Sequence, residues 1–135
     1  MPNWQPNWNN VRWDWGAAGA AASALRRAAG KIEQTAHERV RVAAEAQREW
    51  RGRYREEFDE RLREILQKAG SLAAEYRHMA SRIDNASHAA REEQQYRERE
   101  RERWRREKSE EERRERERRE RKRRERRRRS RGELG

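Results

Sequence analysis

Three histidines are the first residues to weigh for chemistry, and their spacing argues against it. His37, His78 and His88 include no pair four residues apart and no His-Glu-x-x-His, the patterns that place two imidazoles on one metal ion. The chain has no Cys, so it offers neither a thiol nucleophile nor a disulfide framework. Ser23, Ser71, Ser81 and Ser87 fall within helical patterns, and none sits in the glycine-flanked elbow of a hydrolase nucleophile. Carboxylates abound but stand beside arginines, the reverse of the apolar setting that a proton-donating acid needs. No glycine-rich phosphate loop occurs. The expectation is a protein that is not an enzyme and that uses no metal or cofactor.

Charge is the other chemistry on offer. The 37 Lys and Arg outnumber the 26 Asp and Glu, for a formal net charge of +11. The excess is concentrated. Residues 121–131 hold nine basic residues and one acid, a net of +8. Arg121, Lys122, Arg123, Arg124, Arg126, Arg127, Arg128 and Arg129 thus form a block suited to weak contact with nucleic-acid phosphates or anionic lipid headgroups, through counterion release and without sequence readout. Trp104 is a candidate for stacking on a base, although a single Trp among arginines more often packs locally. No leucine heptads follow the block, so a basic zipper is not expected.

Helices must position all of this. Small and apolar residues recur at Ala18, Ala21/Ala22, Leu25, Ala28/Ala29, Ile32, Ala36, Val40, Ala43, Ala46 and Trp50. That three–four spacing predicts a first helix from about 15 to 49, with Asp14 as its N-cap. Gly30 lies inside it and should cost about 1 kcal/mol relative to Ala. A second stripe follows at Tyr54, Phe58, Leu62, Ile65/Leu66, Ala69, Leu72/Ala73, Tyr76, Met79/Ala80, Ile83, Ala86 and Ala90. Between them lies Gly52, a residue that ends helices by accepting positive φ. A short connection between two long helices makes an antiparallel hairpin.

The predicted fold is therefore all-α: an antiparallel two-helix hairpin at 15–95, turning near 50–53. Two helices cannot enclose a core, so the hairpin should dimerise into a four-helix bundle. Leu25, Ile32, Val40, Leu62, Ile65, Leu66, Leu72 and Ile83 are the candidate association residues. A Trp/Asn/Pro-rich irregular lead precedes it at 1–14, with a Pro-Asn-Trp echo (Pro2-Asn3-Trp4, Pro6-Asn7-Trp8) too short to imply a structural repeat. Exposed Trp is costly in water, so at least one of Trp4, Trp8, Trp13 and Trp15 should be buried; either Trp13 or Trp15 folds back over the open hairpin end, or the tryptophans form an exposed aromatic hook for a partner.

Residues 96–135 form an Arg/Glu-rich tail, a long charged helix or coiled-coil-like extension. Its apolar residues are too few for a core. Glu-to-Arg pairs four residues apart support it: Glu102–Arg106, Glu110–Arg114, Glu112–Arg116, Glu115–Arg119, Glu117–Arg121, Glu120–Arg124 and Glu125–Arg129, each adding roughly 0.2–0.5 kcal/mol. Like charges at 126–129 should make the helix fray before Gly132. No run of 18 apolar residues suggests a membrane span. The Ala/Gly-rich stretch at 15–25 lies behind Asp14 without a basic leader, so no cleaved signal peptide is expected.

Trp50-Arg51-Gly52 between two amphipathic helices, with Tyr54 and Phe58 opening the second, resembles the Trp-x-Gly (WXG) family of helical-hairpin proteins associated with type VII secretion. The resemblance covers roughly residues 15–95. It implies a hairpin that pairs with a similar hairpin, as a homo- or heterodimer, and export without a cleaved signal peptide. It also implies a Tyr-x-x-x-Asp/Glu export signal after the second helix's bundle region, which Tyr96 and Glu100 match. Tyr54 and Tyr76 do not match, having Phe58 and Ala80 four residues on. The charged tail departs from small secreted members, which end soon after the hairpin.

Two functions follow as expectations. The first is a non-enzymatic secretion-associated substrate or adaptor that acts through helix–helix pairing and engages the secretion machinery. It would be cytoplasmic, or exported. The second is an intracellular coiled-coil scaffold whose basic C-terminus binds nucleic acid or anionic membrane.

Overall fold

The computed structural model describes residues 2–133; Met1, Leu134 and Gly135, the last two belonging to the expected 96–135 segment, lie outside the described residues. Two helices are present, α1 at Trp15–Ala46 and α2 at Arg53–Glu133. The chain divides into two compact units, Trp13–Ala90 and a second made of Met1–Arg12 with Arg91–Gly135. The lead carries no helix or strand before α1 begins at Trp15. Residues 2–12 belong with the charged part of α2, because their polar backbone and indoles find partners there.

In the hairpin unit, α1 begins where the sequence places it. Asp14 accepts the Ala17 N–H on Oδ1 at 2.9 Å and the Ala18 N–H on its carbonyl at 3.0 Å. A side-chain cap of this kind contributes about 1 kcal/mol. The helix ends three residues before the expected 49, since Gln47, Arg48 and Glu49 bring no apolar position to hold a further turn. The Gln47 N–H reaches the Ala43 carbonyl at 3.0 Å and the Trp50 N–H reaches the Gln47 carbonyl at 2.9 Å. Gly52 completes the reversal with φ at 95°, the one positive φ among the described residues. Its carbonyl then accepts the Arg55 and Glu56 N–H groups at 3.2 and 3.3 Å, opening α2.

Ion pairs define the register. Arg26 meets Asp84 at 2.6 Å, and seven residues on, Glu33 meets Arg77, seven residues back. The numbers rise on one helix as they fall on the other, so the helices are antiparallel. In this register Ala29 falls opposite Ala80, and Ala36 opposite Ala73. These four residues, with Ala22, are the buried apolar residues of the hairpin. Their spacing of seven sets small side chains at every close approach and brings the two backbones together. Each buried methyl is worth only about 0.8 kcal/mol. Larger side chains flank the seam: Leu25, Ile32, Val40, Leu62, Leu66, Tyr76 and Ile83 are half-buried, and no large side chain among the described residues is fully buried.

In the other unit, α2 continues without interruption through Glu133. The expected fraying before Gly132 is not seen, because Arg, Lys and Glu are good helix formers and need no packing to hold helical backbone. The Glu115–Arg119 pair closes at 3.0 Å, whereas Arg116 turns its Nε toward the Glu112 carbonyl at 3.4 Å instead of the carboxylate. One apolar side chain of this region finds local packing. Trp104 is buried, because the lead brings Trp8 edge-on to it with ring centroids 5.3 Å apart.

Candidate functional site

Side chains with interaction chemistry collect at the turn, along an apolar line on α2, at the hairpin's open end, under the lead, at the Tyr96–Glu100 turn of helix and in the basic block at 121–129. At the turn, Trp50 and Phe58 meet edge-to-face with centroids 5.7 Å apart. Arg55 donates to the Trp50 carbonyl at 3.1 Å, tying the turn to the first helical turn of α2. Gly52 supplies the backbone freedom between them. Tyr54 does not join this cap. It is 82% exposed, because four residues separate Trp50 from Tyr54 across a reversal that points the phenol outward. The sequence motif therefore resolves into Trp50, Gly52 and Phe58 as the turn and Tyr54 as a surface residue. Gln47, just before the turn, is buried with its Nε2 amide lacking a partner.

The association residues divide in two. Leu25, Ile32, Val40, Leu62, Leu66 and Ile83 are half-buried along the α1–α2 seam, so they hold the hairpin itself together. Ile65 and Leu72 are exposed, and Met79 continues their line seven residues on. This apolar line borders a groove of about 630 Å³ walled by Ala28, Ile32, Ala69 and Tyr76, with Lys31, Arg39 and Lys68 at its edges. Nothing in the hairpin covers it. The opposite flank is closed by the Arg26–Asp84 and Glu33–Arg77 pairs. The hairpin is thus sealed by charge on one side and apolar and open on the other.

Trp13 and Trp15 cover the hairpin's open end. Both donate their indole N–H to Ser87, Trp13 to Oγ at 3.0 Å and Trp15 to the backbone carbonyl at 2.9 Å. Ser87 is thereby a docking residue, a role that no pattern in the sequence marks.

The lead, residues 2–12, lies along α2 without helix or strand of its own. Arg101 donates Nε to the Asn7 carbonyl at 2.9 Å, Nη2 to the Asn9 carbonyl at 2.7 Å and Nη1 to Asn10 Oδ1 at 3.0 Å. Arg97 adds a bond to the Asn9 carbonyl at 3.1 Å. Gln94 accepts the Val11 N–H at 2.8 Å. Trp4 and Trp8 lie under the guanidinium groups of Arg103 and Arg105, at 4.9 and 5.6 Å from the ring centroids. Contacts of this kind are worth roughly 0.5–1 kcal/mol at exposed sites. Each Pro-Asn-Trp copy thus delivers one indole to one arginine, so the echo has structural meaning after all. The other signal lies in α2, where Gln94, Arg97, Arg101, Trp104 and Lys108 keep three–four spacing among charged neighbours.

Comparison with protein-family models, with curated proteins and with solved structures finds no match. The site must therefore be read from its own chemistry. Among the described residues, no group of three His, Cys, Asp or Glu side chains is placed to hold a metal ion. No helix of the described chain is long and apolar enough to cross a membrane.

Tyr96 and Glu100 lie one turn apart on α2. Tyr96 is 53% exposed, and the Glu100 carboxylate stands 3.7 Å from Arg103. Arg121, Lys122, Arg123, Arg124, Arg126, Arg127, Arg128 and Arg129 are all exposed on helical backbone. At about 100° per residue, eight such cations surround the helix on every side rather than forming one basic face.

Proposed function

We propose that this protein is a non-enzymatic, type VII secretion-associated substrate or adaptor that works by helix–helix pairing with a similar hairpin, as a homo- or heterodimer within a four-helix bundle. The observation that carries the reading is the open flank of the hairpin. Ile65, Leu72 and Met79 stay exposed at seven-residue intervals, beside a groove that the two helices leave unfilled. A helix lying along this line would bury a continuous apolar row, as in coiled-coil packing. The Trp50–Gly52–Phe58 turn supports the likeness to WXG hairpins, and an accessible Tyr96 with Glu100 one turn on supports an export signal read by the secretion machinery.

Light scattering tests the pairing. Leu72→Asp places a charge on the exposed line without touching the Ala seam, so it should halve the particle mass at unchanged helicity. Leu66→Asp is the poorer probe, because Leu66 also holds the hairpin. An unchanged mass for Leu72→Asp would refute pairing through this line. Secretion is tested in culture supernatant, with a lysis marker, in hosts with and without the type VII motor ATPase. Export should require the motor and fall on Tyr96→Ala; retention in both hosts would rule the signal out.

A second reading, an intracellular scaffold whose basic end contacts nucleic acid or anionic membrane, is supported by the exposed cations at 121–129. It requires binding that weakens steeply with salt and disappears when residues 121–135 are deleted.

A further inference from the structure

The lead and its face of α2 are built as a peptide and its receptor rather than as two packed secondary-structure elements. What α2 recognises is what any extended peptide presents, namely backbone carbonyls and ring faces. The Arg101 fork takes the carbonyls of Asn7 and Asn9, and Arg97 shares the second of them. Gln94 reads both polarities, accepting from the Val11 N–H and donating to Asn10 Oδ1 at 3.1 Å. Between these polar clamps and Glu107, which accepts the Trp4 indole N–H, Trp104 forms an apolar floor. Trp8 stands edge-on to that floor, and Pro6, midway between the two lead indoles in the sequence, is buried.

We propose that the α2 face bearing Gln94, Arg97, Arg101, Trp104 and Lys108 is a binding site for an extended Trp-x-x-x-Trp peptide. Residues 2–12 are its tethered occupant, and the same segment of a second copy of this chain can replace them. Proline between the indoles keeps such a peptide extended and free of competing backbone bonds. The arginine clamps select carbonyls at fixed spacing, and the floor selects an indole at the second Trp position. The occupant is held largely through contacts that water also offers, and Trp8 stays 45% exposed. Its residence therefore depends on the tether, which supplies an effective concentration on the order of millimolar. An occupant held in this way exchanges when a second copy is close.

The test uses the full-length chain and a fluorescent synthetic peptide of residues 2–12, read by anisotropy. In a Trp4→Ala/Trp8→Ala protein the tethered lead competes poorly, so the labelled peptide should bind roughly tenfold or more tighter than to wild type. Adding Arg101→Ala to that protein should abolish binding, and a peptide with both Trp replaced by Ala should not bind. Equal affinity for wild type and the double variant would overturn the proposal, as would binding that survives Arg101→Ala. No binding to a double variant of wild-type helicity would overturn it too. Should the double variant lose helicity in circular dichroism, Trp8→Ala alone repeats the comparison with the same decisive outcomes.

Discussion

Trp4 donates its indole N–H to Glu107 at 2.7 Å, across 103 positions of sequence, while Arg103 sits over the same indole and reaches the same carboxylate at 3.2 Å. The three side chains pin one end of the lead. The other end is pinned independently, through Val11 and Gln94. Glu107→Ala should therefore loosen the lead from one side only. A charge-assisted bond in this partly exposed setting is worth about 1 kcal/mol, so exchange of the Trp4 indole N–H should rise roughly fivefold. Protection at Val11 should persist. Equal loss at both ends would show that the lead docks as a single unit.

Trp104 separates two contributions that one side chain makes to the same unit. Its ring is the floor under Trp8, but its Nε1 is buried without a hydrogen-bond partner. Trp104→Phe keeps most of the ring and removes the unpaired N–H, so stability should change little. Trp104→Ala removes the floor, and a loss of about 3 kcal/mol from the docked state should follow. The emission of Trp4 and Trp8 should then shift to the red as they enter water. Retained blue emission in the Ala variant would mean that the lead docks without its floor.

How far the fold was legible depended on which period the residues followed. The Ala stripes, Asp14 and Gly52 announced two helices, a cap and a reversal, because each acts through its own backbone or a neighbour a few residues away. The lead was not legible in the same way. Its partners are Gln94, Arg97 and Arg101, polar residues at three–four spacing, and apolar periodicity passes over them. Nor did composition expose the difference between Ile65 and Leu66, adjacent members of one stripe. Only the register set by Arg26–Asp84 and Glu33–Arg77 turns one toward α1 and leaves the other outside.

Two glycines should respond to Ala with opposite signs. Gly30 lies within α1, and a Cβ there meets nothing within 4 Å, so Gly30→Ala should stabilise the hairpin by about 1 kcal/mol through helix propensity alone. Gly52 also has open space around it, but its φ of 95° is unfavourable for an L side chain. Gly52→Ala should cost roughly 1–2 kcal/mol, entirely as backbone strain. Thermal melts of the two variants decide it, and two shifts of the same sign would contradict the turn geometry.

The Ala seam makes a sharper demand. Ala36 and Ala73 fall opposite one another, and both are buried. Ala73→Leu adds apolar volume that would stabilise an open site, yet in this seam it must push the helices apart and break the neighbouring close approaches. A loss of about 1–3 kcal/mol is expected. Leu at Ala74, an exposed neighbour, should be nearly neutral, which controls for the residue type. If Ala73→Leu were instead stabilising, the helices could not be in close contact there.

Gln47 provides a test in the stabilising direction. It caps α1 through its backbone N–H, a bond that any side chain other than Pro preserves. Its side chain is only 5% exposed, and the Nε2 amide has no partner. A buried donor without an acceptor gives up its hydration and gains nothing in return. Gln47→Met keeps the length and flexibility of the side chain but removes the amide, so unfolding free energy should rise by about 1 kcal/mol. Gln47→Ala should not give the same gain, because it also leaves a void. Chemical denaturation of both variants separates the terms. A destabilised Met variant would mean that the amide is satisfied in solution, and that the end of α1 is held by a bond rather than by burial.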